Sequence, residues 1–178
     1  PLYSSAASDV YKRQYVVLNL VQMVTVGNPT IYGPIQLRVA DCLIALSALL
    51  GLPVVAGVTV GCVLSNLYAF VSPVDVALGP VANLISATVI LFLRKRQFLA
   101  CVVGAFPIGI IVGGGYLWWF FPPPDMFGLS LPAWLAMMVS ITVSSLVTIA
   151  VIGYALLRIM NRPGIIESLK SHGLKTLS

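Results

Sequence analysis

Three polar residues stand at the start of an apolar stretch, in a chain that carries few charges. The stretch IYGPIQLRVADCL, residues 31–43, contains Gln36, Arg38 and Asp41. Arg38 and Asp41 are at positions i and i+3, so on a helix they share one face and can interact. Within a membrane span a charged side chain costs about 2.5–3.5 kcal/mol at the centre, and it persists when paired or when lining a watery cavity. The pattern indicates either a structural ion pair that sets the tilt of a helix or part of a polar binding pocket.

Further polar residues fall in the apolar segments that follow. Asn66 lies near the end of one segment, Asp75 lies in the break SPVD, and Asn83 is two helical turns below Asp75. Asn66 suits a hydrogen bond between helices, and Asp75 suits the N-cap of the helix that follows it. Both residues also suit ligand binding, and this interpretation is favoured if they lie close to Arg38 and Asp41.

The composition excludes a soluble domain. Of the 178 residues, 59% are hydrophobic and only 8% are charged, whereas a soluble domain carries about 25% charged residues. The chain is therefore expected to be an all-α membrane protein that crosses the bilayer several times. The net charge of +5 does not indicate nucleic acid, because the basic residues cluster at segment ends and in the tail, where they set orientation.

Six apolar segments alternate with turn-forming residues and predict a six-transmembrane-helix bundle. The predicted segments cover residues 15–26, 36–50, 53–71, 76–93, 97–121 and 131–157. We expect a transmembrane substrate-binding domain over residues 15–160 and a cytoplasmic basic tail over residues 161–178. The motifs GVTVG and GIIVG each place two glycines four residues apart, which permits close contact between helices.

The first fourteen residues, PLYSSAASDVYKRQ, differ from the rest of the chain. They resemble the translated adapter remnant found at the ends of environmental sequence assemblies, so we predict a sequencing artefact and exclude residues 1–14. The remaining apolar run of residues 15–26 reaches about 18 Å as a helix, against a hydrocarbon core of about 30 Å. The sequence therefore predicts that the natural first helix is truncated here.

Orientation follows from the basic residues. The cluster Arg94–Arg96 and the basic tail are both expected in the cytoplasm, and two predicted spans separate them, which is self-consistent. Counting backwards places both termini inside. It also places Gln36, Arg38, Asp41, Asn66 and Asp75 in the outer half of the membrane, as a polar pocket that opens outward.

Aromatic residues cluster near the predicted outer boundary, and most of them suit an interfacial belt. One or two could instead stack on a planar ligand, and we select Tyr32 and Trp134 for that role. The full set is Tyr32, Tyr68, Phe70, Tyr116, Trp118, Trp119, Phe120, Phe121 and Trp134.

Catalysis and metal binding have little support. Cys42, Cys62 and Cys101 lie in apolar runs without a CxxC pair, and His172 lies in the polar tail. An intramembrane enzyme would have only an Asp41–Asp75 dyad to use. We expect no catalytic residue, no cofactor and no metal.

The ordered polar positions resemble the QueT family, the substrate-binding membrane subunits (S components) of energy-coupling factor transporters. The family pattern is Tyr-Gly-x-x-Gln-x-Arg-x-Ser-Glu, then Val-Thr-x-Gly-Cys-x-x-x-Asn, then a Val/Ile-Asp-Val step and a glycine. The matching residues here are Tyr32, Gly33, Gln36, Arg38, Thr59, Gly61, Cys62, Asn66, Asp75, Val76 and Gly79. Two departures concern acids: Ala40-Asp41 replaces Ser-Glu, and residues 138–142 lack the Glu of some members.

The resemblance implies import of a queuosine precursor, a 7-deazaguanine such as preQ0 or preQ1. A carboxylate can accept both N–H donors of a guanine edge, and we favour Asp75 for this because it is easier to reach from outside. The chain has no phosphate-binding Gly-rich loop, so the resemblance implies an energy-coupling transmembrane subunit and ATPase subunits as partners. The alternatives are an S component for another vitamin-like solute, or a membrane scaffold protein that transports nothing.

Overall fold

The structure is a computed structural model that describes residues 2–26, 38–69, 72–123, 130–171 and 176–177. Over these ranges every regular element is helical. We number the helices α1 to α7 in chain order. Their bounds are α1 Leu2–Val26, α2 Val39–Leu50, α3 Leu52–Ala69, α4 Pro73–Phe92, α5 Arg94–Trp119, α6 Ala133–Met160 and α7 Pro163–Ser171.

Four of the described helices are long and apolar enough to cross a membrane, namely α3, α4, α5 and α6. α2 is apolar but shorter. The prediction of a membrane protein that crosses the bilayer several times is therefore supported by these four helices. Helices α5 and α6 each contain a π-helical stretch, at Gly109–Gly114 and Leu146–Gly153, which widens the turn locally.

Helix α1 includes residues 2–14, for which the sequence predicts an adapter origin. It packs mainly on α3, where glycines allow close approach. A methyl group on Gly57 would lie 2.7 Å from the Ser8 carbonyl oxygen, and one on Gly61 would lie 2.9 Å from the Tyr15 Cβ. The predicted role of GVTVG in close helix contact is confirmed. The adapter origin of residues 1–14 stays a prediction, because a helical conformation does not reveal where a sequence came from.

Helix α2 differs from the regular α-helix expected from residue 36 onward. Its first part, Val39–Leu46, is a 3-10 helix, and only Ser47–Leu50 is α-helical. Arg38 precedes the helix with extended backbone, at φ −107° and ψ 90°. Arg38 is the N-cap of this helix, and its carbonyl accepts a hydrogen bond of 3.1 Å from the Asp41 backbone N–H. The two residues therefore lie one 3-10 turn apart, and a shared helix face stays a prediction.

The start of α4 is capped by Ser72, whose side-chain oxygen accepts a hydrogen bond of 3.1 Å from the Asp75 backbone N–H. The alternative in which Asp75 is the N-cap is therefore wrong. Asp75 stands three residues later, in the first turn, and its carboxylate is buried. The Asp75 side chain does not cap the helix, so it can contact another helix.

One end of the bundle carries the basic residues. Asn161, just after α6, donates a hydrogen bond to Gln97 near the start of α5 at 3.2 Å. The Leu177 backbone N–H donates to the Leu49 carbonyl at 2.7 Å, which brings the tail to the turn between α2 and α3. Arg94–Arg96, this turn and the tail therefore share one end of the bundle. Asp75 begins α4 at the other end.

Candidate functional site

Asp75 is held by groups from two other helices. The Tyr116 hydroxyl, near the end of α5, donates a hydrogen bond to Asp75 Oδ1 at 2.5 Å. The Asn66 side-chain amide, near the end of α3, donates to the Asp75 backbone carbonyl at 2.9 Å. All three residues are buried. The carboxylate is therefore fixed in place where α3, α4 and α5 meet.

Gly79, one turn after Asp75 on α4, provides the space for this arrangement. A methyl group at this position would lie 2.5 Å from Asn66 Nδ2 and 3.7 Å from both Asp75 Oδ1 and Cys62 Sγ. A distance of 2.5 Å is too short for a carbon atom beside an amide nitrogen. A larger residue at position 79 would therefore displace the Asn66 amide from its present position.

Asp41 is held in the same manner by a second tyrosine. The Tyr15 hydroxyl on α1 donates a hydrogen bond to Asp41 Oδ1 at 2.8 Å. The same hydroxyl oxygen accepts one from the Asn83 side-chain amide on α4, also at 2.8 Å. Tyr15 is fully buried, and Asp41 and Asn83 are each 1% exposed. The chain Asn83–Tyr15–Asp41 thus joins α4, α1 and α2 through side chains alone.

Arg38 and Asp41 each contain a buried polar atom that has no hydrogen-bond partner among the residues that the structure describes. These atoms are Arg38 Nε and Asp41 Oδ2. In the described part of the chain no ion pair joins the two residues, although the guanidinium lies within electrostatic range of both Asp41 and Asp75. A buried polar group without a partner costs about 1–3 kcal/mol, and more when it is charged. The cluster therefore contains one donor and one acceptor whose hydrogen-bonding capacity no described group uses.

The structure brings four of the seven predicted site residues into one buried cluster: Arg38, Asp41, Asn66 and Asp75. Trp134 lies in the first turn of α6 and is 46% exposed, so it does not contribute to the hydrogen bonds of the cluster. Tyr32 and Gln36 fall outside the described residues, as does His172.

Sequence reasoning did not identify the two tyrosines that hold the carboxylates. Tyr116 is one of the nine aromatics near the predicted outer boundary, most of which suit an interfacial belt, but it is 1% exposed and bonded to Asp75. Tyr15 is the first residue of the apolar run 15–26, and its position in that run does not indicate a polar role. The sole available signal was that a phenol needs a hydrogen-bond partner when it is buried. By contrast, Tyr68 and Trp119 are 72% and 64% exposed, as expected of a belt.

The cluster presents groups suited to binding. Within the described residues no group of three potential ligands for a metal is found. The two carboxylates are held by separate tyrosines and do not share a hydrogen bond. The arrangement offers one guanidinium, two carboxylates and two side-chain amides in a buried setting, which can recognise a small polar molecule.

Comparison with known proteins adds one match. The model of a family described as QueT transporter matches residues 13–162, which is most of the chain. No curated protein and no solved structure matches the chain at a significant level.

Proposed function

The chain belongs to the QueT transporter family, and on that basis we propose that it is the membrane-embedded substrate-binding subunit of an energy-coupling factor importer. Membership places it among membrane transporters and not among enzymes. The helices long enough to cross a membrane agree with that class. The substrate is a queuosine precursor of the 7-deazaguanine type, such as preQ0 or preQ1.

The observation that carries this proposal is the pair of buried atoms without partners, Arg38 Nε and Asp41 Oδ2. A guanine-type edge has two adjacent N–H donors and, next to them, an exocyclic oxygen. The donors suit a carboxylate, and the oxygen suits a guanidinium or amide. A ligand of this kind would pair both atoms and recover the free energy that their burial costs.

Asp41 replaces Asp75 as our choice of recognition carboxylate. Each carboxylate accepts one tyrosine hydroxyl on Oδ1, Asp75 from Tyr116 and Asp41 from Tyr15. The difference is Asp41 Oδ2, a buried atom that has no hydrogen-bond partner among the described residues. Asp75 then holds α3, α4 and α5 together where they meet. Its carboxylate also suits the aminomethyl cation that preQ1 carries.

The fold supports a six-helix arrangement. Helices α1 and α2 would complete a bundle with the four long helices. The basic residues at one end favour a cytoplasmic position for both termini, in a cell membrane. The cluster around Asp75 lies towards the opposite end, so the site would open outward.

Transport would require partner proteins. The sequence lacks a phosphate-binding loop of its own. ATP hydrolysis would come from ATPase subunits that act through a coupling transmembrane subunit. Two alternatives compete with this proposal. The protein could bind another vitamin-like solute, or it could be a scaffold protein that transports nothing.

Ligand retention during purification tests the proposal. The protein is purified in lipid from cells supplied with preQ1, and the bound small molecules are identified by mass spectrometry. The parent protein should retain a 7-deazaguanine, and Asp41→Ala should not. Retention of a different solute would overturn the substrate, and a parent protein that retains nothing and binds no added preQ1 would favour the scaffold.

A further inference from the structure

Tyr15 occupies an unusual position in the cluster. It is the only residue of α1 found bonded to a carboxylate of the site within the described residues. Its hydroxyl both donates, to Asp41 Oδ1, and accepts, from Asn83. A hydroxyl that donates to one partner and accepts from another has little freedom to rotate. The orientation of the Asp41 carboxylate therefore depends on α1 and α4 as well as on α2.

We propose that Tyr15 is a positioning residue for ligand selectivity: it fixes the Asp41 carboxylate so that Oδ2 faces the ligand as an acceptor for its N–H donors. The inference rests on the proposed function, since it deepens the account of the same site. Tyr15 does not need to touch the ligand. It acts through Asp41, whose Oδ2 is the atom left without a partner.

Burial explains why one hydroxyl can have this effect. Tyr15 is fully buried and Asp41 is 1% exposed, so water does not replace the phenol if it is removed. A carboxylate without its fixed donor can rotate about its χ2 torsion, which is broad and has no single preferred value. Asp41 Oδ2 would then no longer be held in the plane of the ligand's N–H donors. Selectivity depends on this geometry because an unmatched donor in a buried site costs affinity.

The packing of α1 fixes the position of Tyr15. A methyl group on Gly61 of α3 would lie 2.9 Å from the Tyr15 Cβ and 3.0 Å from the Lys12 carbonyl oxygen. The glycine thus lets α1 come close enough for the phenol to reach Asp41. This close contact and the two hydrogen bonds of the hydroxyl together hold Tyr15 in place.

The test compares two probes with the purified protein in lipid nanodiscs. These are 7-deazaguanine, which has the exocyclic amino group, and 7-deazahypoxanthine, which lacks it. The parent should prefer 7-deazaguanine by about tenfold, the value of one well-placed hydrogen bond to a charged group. In Tyr15→Phe this ratio of dissociation constants should shrink about fivefold or more, because the second donor no longer meets a fixed acceptor.

Tyr154→Phe is the matched control, because the Tyr154 ring contacts Phe98 near the basic end and lies outside the cluster. It should leave the ratio unchanged. Asn83→Ala is the second variant: it removes the partner on the other side of the Tyr15 hydroxyl and should reduce the ratio in the same direction. If Tyr15→Phe does not fold, the result for Asn83→Ala decides.

The outcomes separate the inference from the function on which it rests. An unchanged ratio in the folded variants, or an equal loss of affinity for both probes, overturns the positioning role while the proposed function stands. A parent protein that binds neither probe nor preQ1 overturns the proposed function and the inference with it. A ratio that shrinks only in the two cluster variants supports the inference.

Discussion

The Tyr116 hydroxyl and the Asp75 carboxylate, 41 residues apart in sequence, lie 2.5 Å from each other. The contact joins the first turn of α4 to the last part of α5. Both residues are buried, so the hydrogen bond is shielded from water. It holds the two helices together at the end of the bundle where the site lies.

Tyr116→Phe should therefore destabilise the protein. The variant leaves a buried carboxylate oxygen without this donor, which costs about 1–3 kcal/mol, and more for a charged group. The melting temperature in detergent should fall clearly. Tyr68→Phe is the control, since Tyr68 is 72% exposed. Equal melting temperatures for the two variants would show that the contact contributes nothing to stability.

Gly79→Ala should damage the site through its size. The added methyl group would lie 2.5 Å from Asn66 Nδ2, so Asn66 must move and lose its bond to the Asp75 carbonyl. We expect a loss of about 1–3 kcal/mol in stability. Gly164→Ala is the control, because nothing lies within 4 Å of the added methyl group. A Gly79→Ala variant as stable as this control would contradict the close contact.

Removing Arg38 and Asp41 together should separate structure from binding. Each single alanine variant leaves one buried charge without the opposite charge that lies within electrostatic range of it, so each should lower the stability of the protein. The double variant should be more stable than either single one, and yet it should bind no 7-deazaguanine. Thermal unfolding and ligand titration measure the two effects. If the folded double variant binds 7-deazaguanine with the affinity of the parent, neither residue takes part in ligand binding.

Orientation can be measured with single cysteines at exposed positions. Ser130 and Lys95 are exposed and lie before α6 and at the start of α5, towards opposite ends of the bundle. In intact cells a membrane-impermeant maleimide should label Ser130→Cys, and it should label Lys95→Cys only after lysis. The native cysteines are buried and should give little background. The reverse labelling pattern would invert the topology.

Much of the fold class and part of the site could be predicted from sequence. The low share of charged residues indicates a membrane protein without any structural information, and four long apolar helices agree with this. The polar residues in apolar segments indicate the site because burial of such groups is costly without a function or partner. Arg38, Asp41, Asn66 and Asp75 do lie in one cluster.

The remaining features depend on contacts between distant parts of the chain. Tyr15 bonds to Asp41 and Asn83, 26 and 68 residues away, and no local pattern reveals such a partner. The 3-10 conformation of Val39–Leu46 is also not apparent from its apolar composition, which suits an α-helix equally well. Ser72 and Asp75 are both good N-cap residues, and the backbone geometry decided in favour of Ser72.

Binding of preQ1 to the purified parent and to Asp41→Asn, by isothermal titration calorimetry in lipid nanodiscs, tests the central claim most directly. The substitution keeps the size of the side chain but can replace the acceptor Oδ2 with a donor that faces another donor. The parent should bind preQ1, and Asp41→Asn should bind at least about tenfold more weakly. Equal affinity of the two proteins for preQ1 would contradict recognition by Asp41, and the absence of binding to the parent would contradict the proposed substrate.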